Sequence, residues 1–274
     1  MTVLADLPGE ELDAPVDLTG AVGGDARAPF EWKDGLPLFC GLRVAFRKVE
    51  IAGHVFDVAA LKDAAGLLDD PVYAKRFVDE DFAPYGLELW PASFVLADLL
   101  LRTPPWGERR ALELGCGVGL VSIAAARAGW DVVATDHYDL ALEFARYNSG
   151  RCGVTVGAFD HMDWRTPPDY RPFDLVFASD VLYQREDHAP ILGCVQTYLS
   201  PSGTCWIVDP NRPSADRFPD AVAAHGHFSC EAAVHQATVH EASIGEAKPM
   251  SARVFKLRRA GAATSPVSGL SSET

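Results

Sequence analysis

Residues 110–119 read RALELGCGVG, and the fold turns on that stretch. A short apolar run, Arg110 to Leu114, breaks into glycines at three alternate positions, Gly115, Gly117 and Gly119. Glycine lets a chain turn tightly and lets its backbone come close to whatever it faces. An alanine-rich helical stretch, Leu120 to Arg127, follows and stops at Gly129. Strand, tight turn and helix are the opening of a β-α-β unit.

The alternation continues downstream. Asp131 to Thr135 reads as a strand, Tyr138 to Asn148 as a helix and Val154 to Phe159 as a strand. Phe173 to Ser179 is a strand that is apolar apart from Asp174 and its final serine. Ala189 to Leu199 is a helix closed by Pro201-Ser202-Gly203, and Thr204 to Val208 is a strand. Phe228 to Val234 and Arg253 to Leu257 are two more strand candidates, with little room for helices around them, and are expected to pair antiparallel at a sheet edge. This rhythm predicts an α/β fold: a doubly wound, mostly parallel seven-stranded sheet with helices on both faces. Upstream, residues 42–60 predict a β-hairpin around Ala52-Gly53, and residues 92–102 predict a well-buried helix. The expected division is an acidic disordered tail over 1–34, an extension with the hairpin over 35–84, the main domain over 85–259 and a second disordered tail over 260–274.

Bulk composition narrows the partners. The net charge is −14, from 24 Lys+Arg against 38 Asp+Glu, a balance that repels polyanions and argues against duplex nucleic acid. The acidic start, MTVLADLPGEELDAPVD, has no basic segment followed by an apolar one, and no apolar run is long enough to span a bilayer. The six cysteines are scattered with no CxxC pair. They read as free thiols in a reducing compartment, so a cytoplasmic location is expected. His225, His227, His235 and His240 lack a metal-ligand spacing, and no metal is expected.

In open α/β sheets a ligand sits beyond the carboxyl ends of the strands. The glycine turn departs from the dinucleotide fingerprint, which needs glycine where Leu120 stands. Glu113 would oppose a pyrophosphate and favour a ligand carrying an ammonium group; S-adenosylmethionine carries an ammonium and a sulfonium. Asp136, at the end of the second strand, could by itself cap the next helix, but with the glycine turn about 20 residues earlier it reads as the acceptor of a ribose's hydroxyls. Trp164 offers an aromatic face for adenine, and Asp163 an acceptor for its amino group. The strand over 173–179 runs into Asp180, with Tyr183 three residues on, which makes an acceptor site for a transferred group. Arg212 lies at the same sheet edge, where it would touch a substrate or pair with a carboxylate.

The series ELGCGVG, TDHYDLALEFARYN, DW and FDLVFASDVLY resembles the class I S-adenosylmethionine-dependent methyltransferases. The D-x-x-Y motif, Asp180 to Tyr183, and the upstream tract GLELWPASFVLADLL narrow the resemblance to the family-16 group of seven-β-strand lysine methyltransferases. It covers about residues 85–210. The resemblance implies cofactor contacts by Trp90, Glu113, Gly115, Gly117, Gly119, Asp136 and Trp164, and an acceptor-positioning role for Asp180 and Tyr183. It implies methyl transfer from S-adenosyl-L-methionine to a nitrogen acceptor, a protein lysine in the first place. A small-molecule amine is the alternative, and a non-catalytic cofactor-binding protein is a further one. An ordered helical lid within residues 61–84, where a short helix near Ala74 to Phe77 is expected, would favour the small molecule.

Overall fold

The computed structural model describes residues 30–33, 36–39, 42–62, 64, 66, 84–241 and 246–261. The expected tails and the short helix near Ala74 lie outside them, apart from Phe30–Lys33 of the first tail, which form a strand, and Ala260 and Gly261 of the second, which form a turn. Strands β1 (Phe30–Lys33), β2 (Leu36–Phe39), β3 (Leu42–Ile51) and β4 (His54–Leu61) come first. Ala52 and Gly53 join β3 to β4, with φ of 50° and 78°, the left-handed pair that a two-residue hairpin turn requires. Then follow α1 (Pro91–Arg102), β5 (Arg110–Leu114), α2 (Leu120–Arg127), β6 (Asp131–Asp136) and α3 (Asp139–Arg151). The rest is β7 (Ala158–His161), β8 (Phe173–Ser179), α4 (His188–Tyr198), β9 (Leu199–Asp209), α5 (Phe218–His225), β10 (Phe228–Glu241) and β11 (Glu246–Arg259).

The strand order from β7 inward is β7-β6-β5-β8-β9-β11-β10, with the first five parallel and the last two antiparallel. This is the expected doubly wound sheet of seven strands with the hairpin extension before it. Period-2 alternation sorts each central strand between two cores. Leu175, Phe177, Trp206, Val208 and Val254 face α1 and α2, whereas Val176, Ala178, Cys205, Ile207 and Phe255 face α4 and α5.

Four expectations need correction. The third parallel strand begins at Ala158, not Val154, because Val154 already bonds back to the end of α3 through its N–H to Ser149. Helix α5 was not expected; Pro219 in its first turn and Gly226 just past its end were its only cues. Strands β10 and β11 run 14 residues each, about two to three times the apolar stretches that mark them, since long pairing with one another needs no apolar pattern. They are also not a free edge. Val239, His240 and Glu241 pair with Ile51, Glu50 and Val49, so the N-terminal hairpin continues the same sheet.

Asn148 holds that hairpin to the domain. Its side chain is fully buried, accepts the Ala59 N–H at 2.7 Å and donates to the carbonyls of Ala59 and Val118 at 2.9 Å. One amide thus joins β4, α3 and the turn after β5. Asn148→Ala strands a buried N–H and two carbonyls, so unfolding free energy should fall by about 2–4 kcal/mol. Urea melting of both proteins measures the loss; an unchanged midpoint would show that the tie contributes nothing.

Candidate functional site

The carboxyl ends of the parallel strands open on a cavity of about 540 Å³. That is within the range of small-molecule sites and at the edge where such sheets bind ligands. Gly115, Gly117, Asp136, Trp164, Asp180 and Tyr183 line it, as does Trp90 just before α1. Seven of the nine expected residues therefore converge on one space.

The glycine turn explains how they meet. Gly117 has φ of 51°, and a Cβ there would lie 2.6 Å from the carbonyl oxygen of Gly86. Gly119, at φ of 85°, has α3 against it: a Cβ would lie 2.8 Å from the Cα of Ala145. Gly119 does not line the cavity. Its hydrogen side chain serves the approach of α3 to α2, which corrects the expected ligand contact. Gly115 does line the cavity, and the Trp164 ring stands 3.4 Å from where its Cβ would be.

Glu113 is the second correction. Leu112 and Leu114 face the core under α4, so Glu113 points the other way, toward α2, where Ser122 donates a hydrogen bond to Oε2. The carboxyl is fully buried, its Oε1 has no partner, and it does not line the cavity. Burial, and secondarily the nearby Asp136, push it up to about 8, so it is mostly protonated at neutral pH.

Asp136 is engaged by two backbone N–H groups. Its Oδ1 accepts the Tyr138 N–H at 3.0 Å, in the turn that leads into α3 and without capping that helix, and its Oδ2 accepts the Gly117 N–H at 2.9 Å. It lines the cavity all the same, and each oxygen keeps a lone pair. Burial raises its pKa, opposed by those N–H donors.

At the far end, Asp180 has φ of 61°, uncommon for a residue with a side chain, while its N–H stays bonded to Val208 of β9. That conformation turns the carboxylate out of β8. Oδ1 accepts a charge-assisted bond from the Arg212 guanidinium, and Oδ2 accepts the Ala92 N–H at the start of α1 at 3.3 Å. Burial and Asp209 raise the Asp180 carboxyl to about 6, with Arg212 holding it down against burial. Arg212 also sits 5.3 Å from the Trp90 ring centre, and its own N–H bonds Asp209 Oδ1 at 2.6 Å. Of the two roles expected for Arg212, the structure shows carboxylate pairing, with Asp180 as the carboxylate. Tyr183 is 52% exposed and stands at the mouth.

Sequence reasoning missed Tyr85, Tyr138, Arg165 and Asp187 in the lining. Tyr138, two residues past a strand end, was legible by position; Tyr85 and Asp187 lie in 3-10 turns with no such marker. Of the histidines, His235 bonds the buried Asp98 at 3.1 Å and His225 stacks on Phe228. Among the described residues no group of His, Cys, Asp and Glu is arranged to hold a metal. Cys116 lines the cavity, but burial raises its thiol well above the usual range, which disarms it as a nucleophile.

Residues 92–246 match the family model of the methyltransferase domain, more than half of the chain. The chain belongs to that family. Its cofactor is S-adenosylmethionine. Among relatives, the chain is 32% identical over 136 residues to the protein-lysine N-methyltransferase rrg1 of Schizosaccharomyces pombe, covering 43% of this chain and 44% of that protein. It is 29% identical over 155 residues to the histone-arginine methyltransferase METTL23 of Xenopus laevis, covering 53% and 66%. It is 32% identical over 161 residues to the trans-aconitate 2-methyltransferase of Methylobacterium radiotolerans, covering 57% and 56%. The chain thus spans about half to two thirds of the length of these relatives.

The Glu113 position in this methyltransferase domain gives a pH test. Its carboxyl releases its proton near 4.5 in the unfolded chain and near 8 in the folded one. Between those values the unfolded chain holds fewer protons, so this group lowers stability as pH rises from 4.5 to 8 and adds no slope above. Glu113→Gln removes the slope. Urea melting from pH 5 to 9 should show the variant gaining on the wild type up to pH 8 and then running parallel. A constant gap from pH 5 upward would mean that Glu113 is charged in the folded protein.

Proposed function

We propose that this chain transfers the methyl group of S-adenosylmethionine to a nitrogen acceptor, a lysine side chain of a protein. The observation that carries a basic nitrogen as acceptor is the charge of the cavity, and the lysine-methylating relative favours lysine. Five carboxylates line it, Glu88, Asp136, Asp163, Asp180 and Asp187, against two guanidiniums, Arg165 and Arg212. Such a lining attracts an amine and repels a polycarboxylate of the kind that the trans-aconitate enzyme's name describes.

The lining suits the cofactor. Asp136 offers two oxygens with spare lone pairs to the ribose hydroxyls, and Met162 and Trp164 supply apolar and aromatic surface for adenine. Gly115 and Gly117 bring bare backbone to the methionine end, beside Trp90. The cofactor supplies an electrophilic methyl on a sulfonium. The chain's work is alignment, which in a well-oriented pair is worth roughly 7–11 kcal/mol. Asp180 holds the amine by a hydrogen bond through its remaining lone pairs, and Tyr183 presents its ring at the entrance. Bound there, the cofactor would give up its methyl carbon to the lysine nitrogen, with the electrons of the sulfur–carbon bond left on sulfur. The new methylammonium then loses a proton to solvent.

The decisive experiment is labelling of an extract from a strain lacking this gene with methyl-labelled S-adenosylmethionine and the purified protein. A labelled protein band whose hydrolysate contains methyl-lysine is expected. Label confined to small molecules overturns the protein acceptor, and no label at all overturns methyl transfer.

Two substitutions separate binding from transfer. Asp136→Ala should weaken S-adenosylhomocysteine binding at least tenfold by calorimetry, from lost hydrogen bonds worth roughly 1.5–3 kcal/mol, while circular dichroism shows a folded protein. Normal binding would leave Asp136 as an anchor of the turn alone. Asp180→Asn should leave that binding within a few-fold and lower single-turnover transfer at least a hundredfold. An equal loss of both would place Asp180 in the cofactor site.

A further inference from the structure

The acceptor end of the cavity contains a charge pair that methyl transfer does not obviously need. Asp180 alone would hold an amine, yet Arg212 already occupies one of its oxygens. A free lysine amine has a pKa of about 10.4, and only its neutral form carries the lone pair that attacks the methyl. An unpaired carboxylate beside it would favour the cation and work against the reaction.

We propose that Arg212 is a positioning residue that offsets the charge of Asp180, so that the bound amine meets a carboxylate able to orient it but not to keep it protonated. The inference rests on the amine reading of the acceptor. It stands on the following geometry. Arg212 lines the cavity beside Asp180 and Trp90 and is not a surface group that happens to reach in. Its side chain is 27% exposed and that of Asp180 8%, so water screens the pair weakly. Its backbone is held from below: the Arg212 N–H bonds the buried Asp209, and its carbonyl accepts from Arg253 of β11 at 3.5 Å. Arg253 in turn pairs with Asp216 at 2.9 Å and lies 3.9 Å from Asp209. Tyr183, from the loop after β8, is a further titratable group near Arg212, and the start of α1 contributes the Ala92 N–H to Asp180. Asp209 thus fixes the Arg212 backbone, and the guanidinium at the other end of the side chain meets Asp180 in the cavity.

The pH dependence of transfer tests this. Single-turnover methyl transfer from S-adenosylmethionine to a saturating pool of synthetic lysine-containing peptides rises with pH as the bound amine loses its proton. In Arg212→Gln the midpoint of that rise should move up by about one pH unit, and the rate at a pH below both midpoints should fall about tenfold. Arg212→Lys keeps the charge, and its midpoint should stay within a few tenths of a unit of wild type even if its rate is lower. Calorimetry with S-adenosylhomocysteine should show all three proteins binding alike. If Arg212→Gln slows transfer by one factor at every pH, or if Arg212→Lys shifts as far as Arg212→Gln, the charge role is overturned and Arg212 is a structural prop for Asp180. If the wild-type protein methylates arginine peptides and no lysine peptide, the amine reading fails, and this proposal with it.

Discussion

The absence of a side chain at Gly117 and Gly119 is the constraint on which the rest of the site depends. One position faces a carbonyl oxygen of the turn before α1, the other the backbone of α3, each closer than any Cβ allows. Because both approaches are backbone to backbone, no rotamer change can relieve a clash there. The turn after β5 is thereby wedged between the segment that carries Trp90 and the helix that begins beyond Asp136. Asp136 then closes the arrangement by bonding the Gly117 N–H. Cofactor-side and acceptor-side residues reach one cavity because this turn leaves no slack between the elements that carry them.

Around that turn the sheet concentrates carboxyl groups at depths where ionisation is disfavoured. Glu113, Asp136, Asp180 and Asp209 are all buried or nearly so, and burial raises all four. Their surroundings then part them. Glu113 has a serine hydroxyl for a partner and mostly keeps its proton at neutral pH. Asp136 has two backbone N–H groups. Asp180 and Asp209 share Arg212, one through the guanidinium and one through the backbone. Four similar residues thus become a buried neutral group, a turn anchor, a cavity carboxylate and a support. The difference lies in which donors reach each of them.

The N-terminal hairpin reaches the same centre by a different route. It adds to the sheet beyond β10, and its second strand lies over α3, where Asn148 joins it to the Val118 carbonyl of the glycine turn. Val118, Phe144 and Leu87 share a small core with Ala59 and Leu61 of the hairpin. The extension thus packs behind the cavity and contributes to the stiffness of the turn in front of it.

Much of this was legible in the residues by themselves. Alternating apolar strands and helices, punctuated by Gly129 and by Pro201-Ser202-Gly203, required a doubly wound sheet, because periodicity and chain breaks are local properties. The rule that ligands sit beyond strand ends picked out Asp136, Trp164, Asp180 and Tyr183 without any structure. Local pattern could not say which way a strand residue faces when both faces are covered, and so it aimed Glu113 at the ligand. Nor could it tell that Gly119 is small for the sake of Ala145, 26 positions later in the chain. The long pairing of β10 with β11 and its continuation into β3 carry no apolar signal on the exposed face. Most consequential is the Asp180–Arg212 pair, which joins residues 32 positions apart. The sequence determined that a carboxylate and a guanidinium stand at the same sheet edge; only the tertiary structure decided that they meet, because β8 and β9 lie side by side and the left-handed turn at Asp180 points its carboxylate toward the neighbouring strand's end.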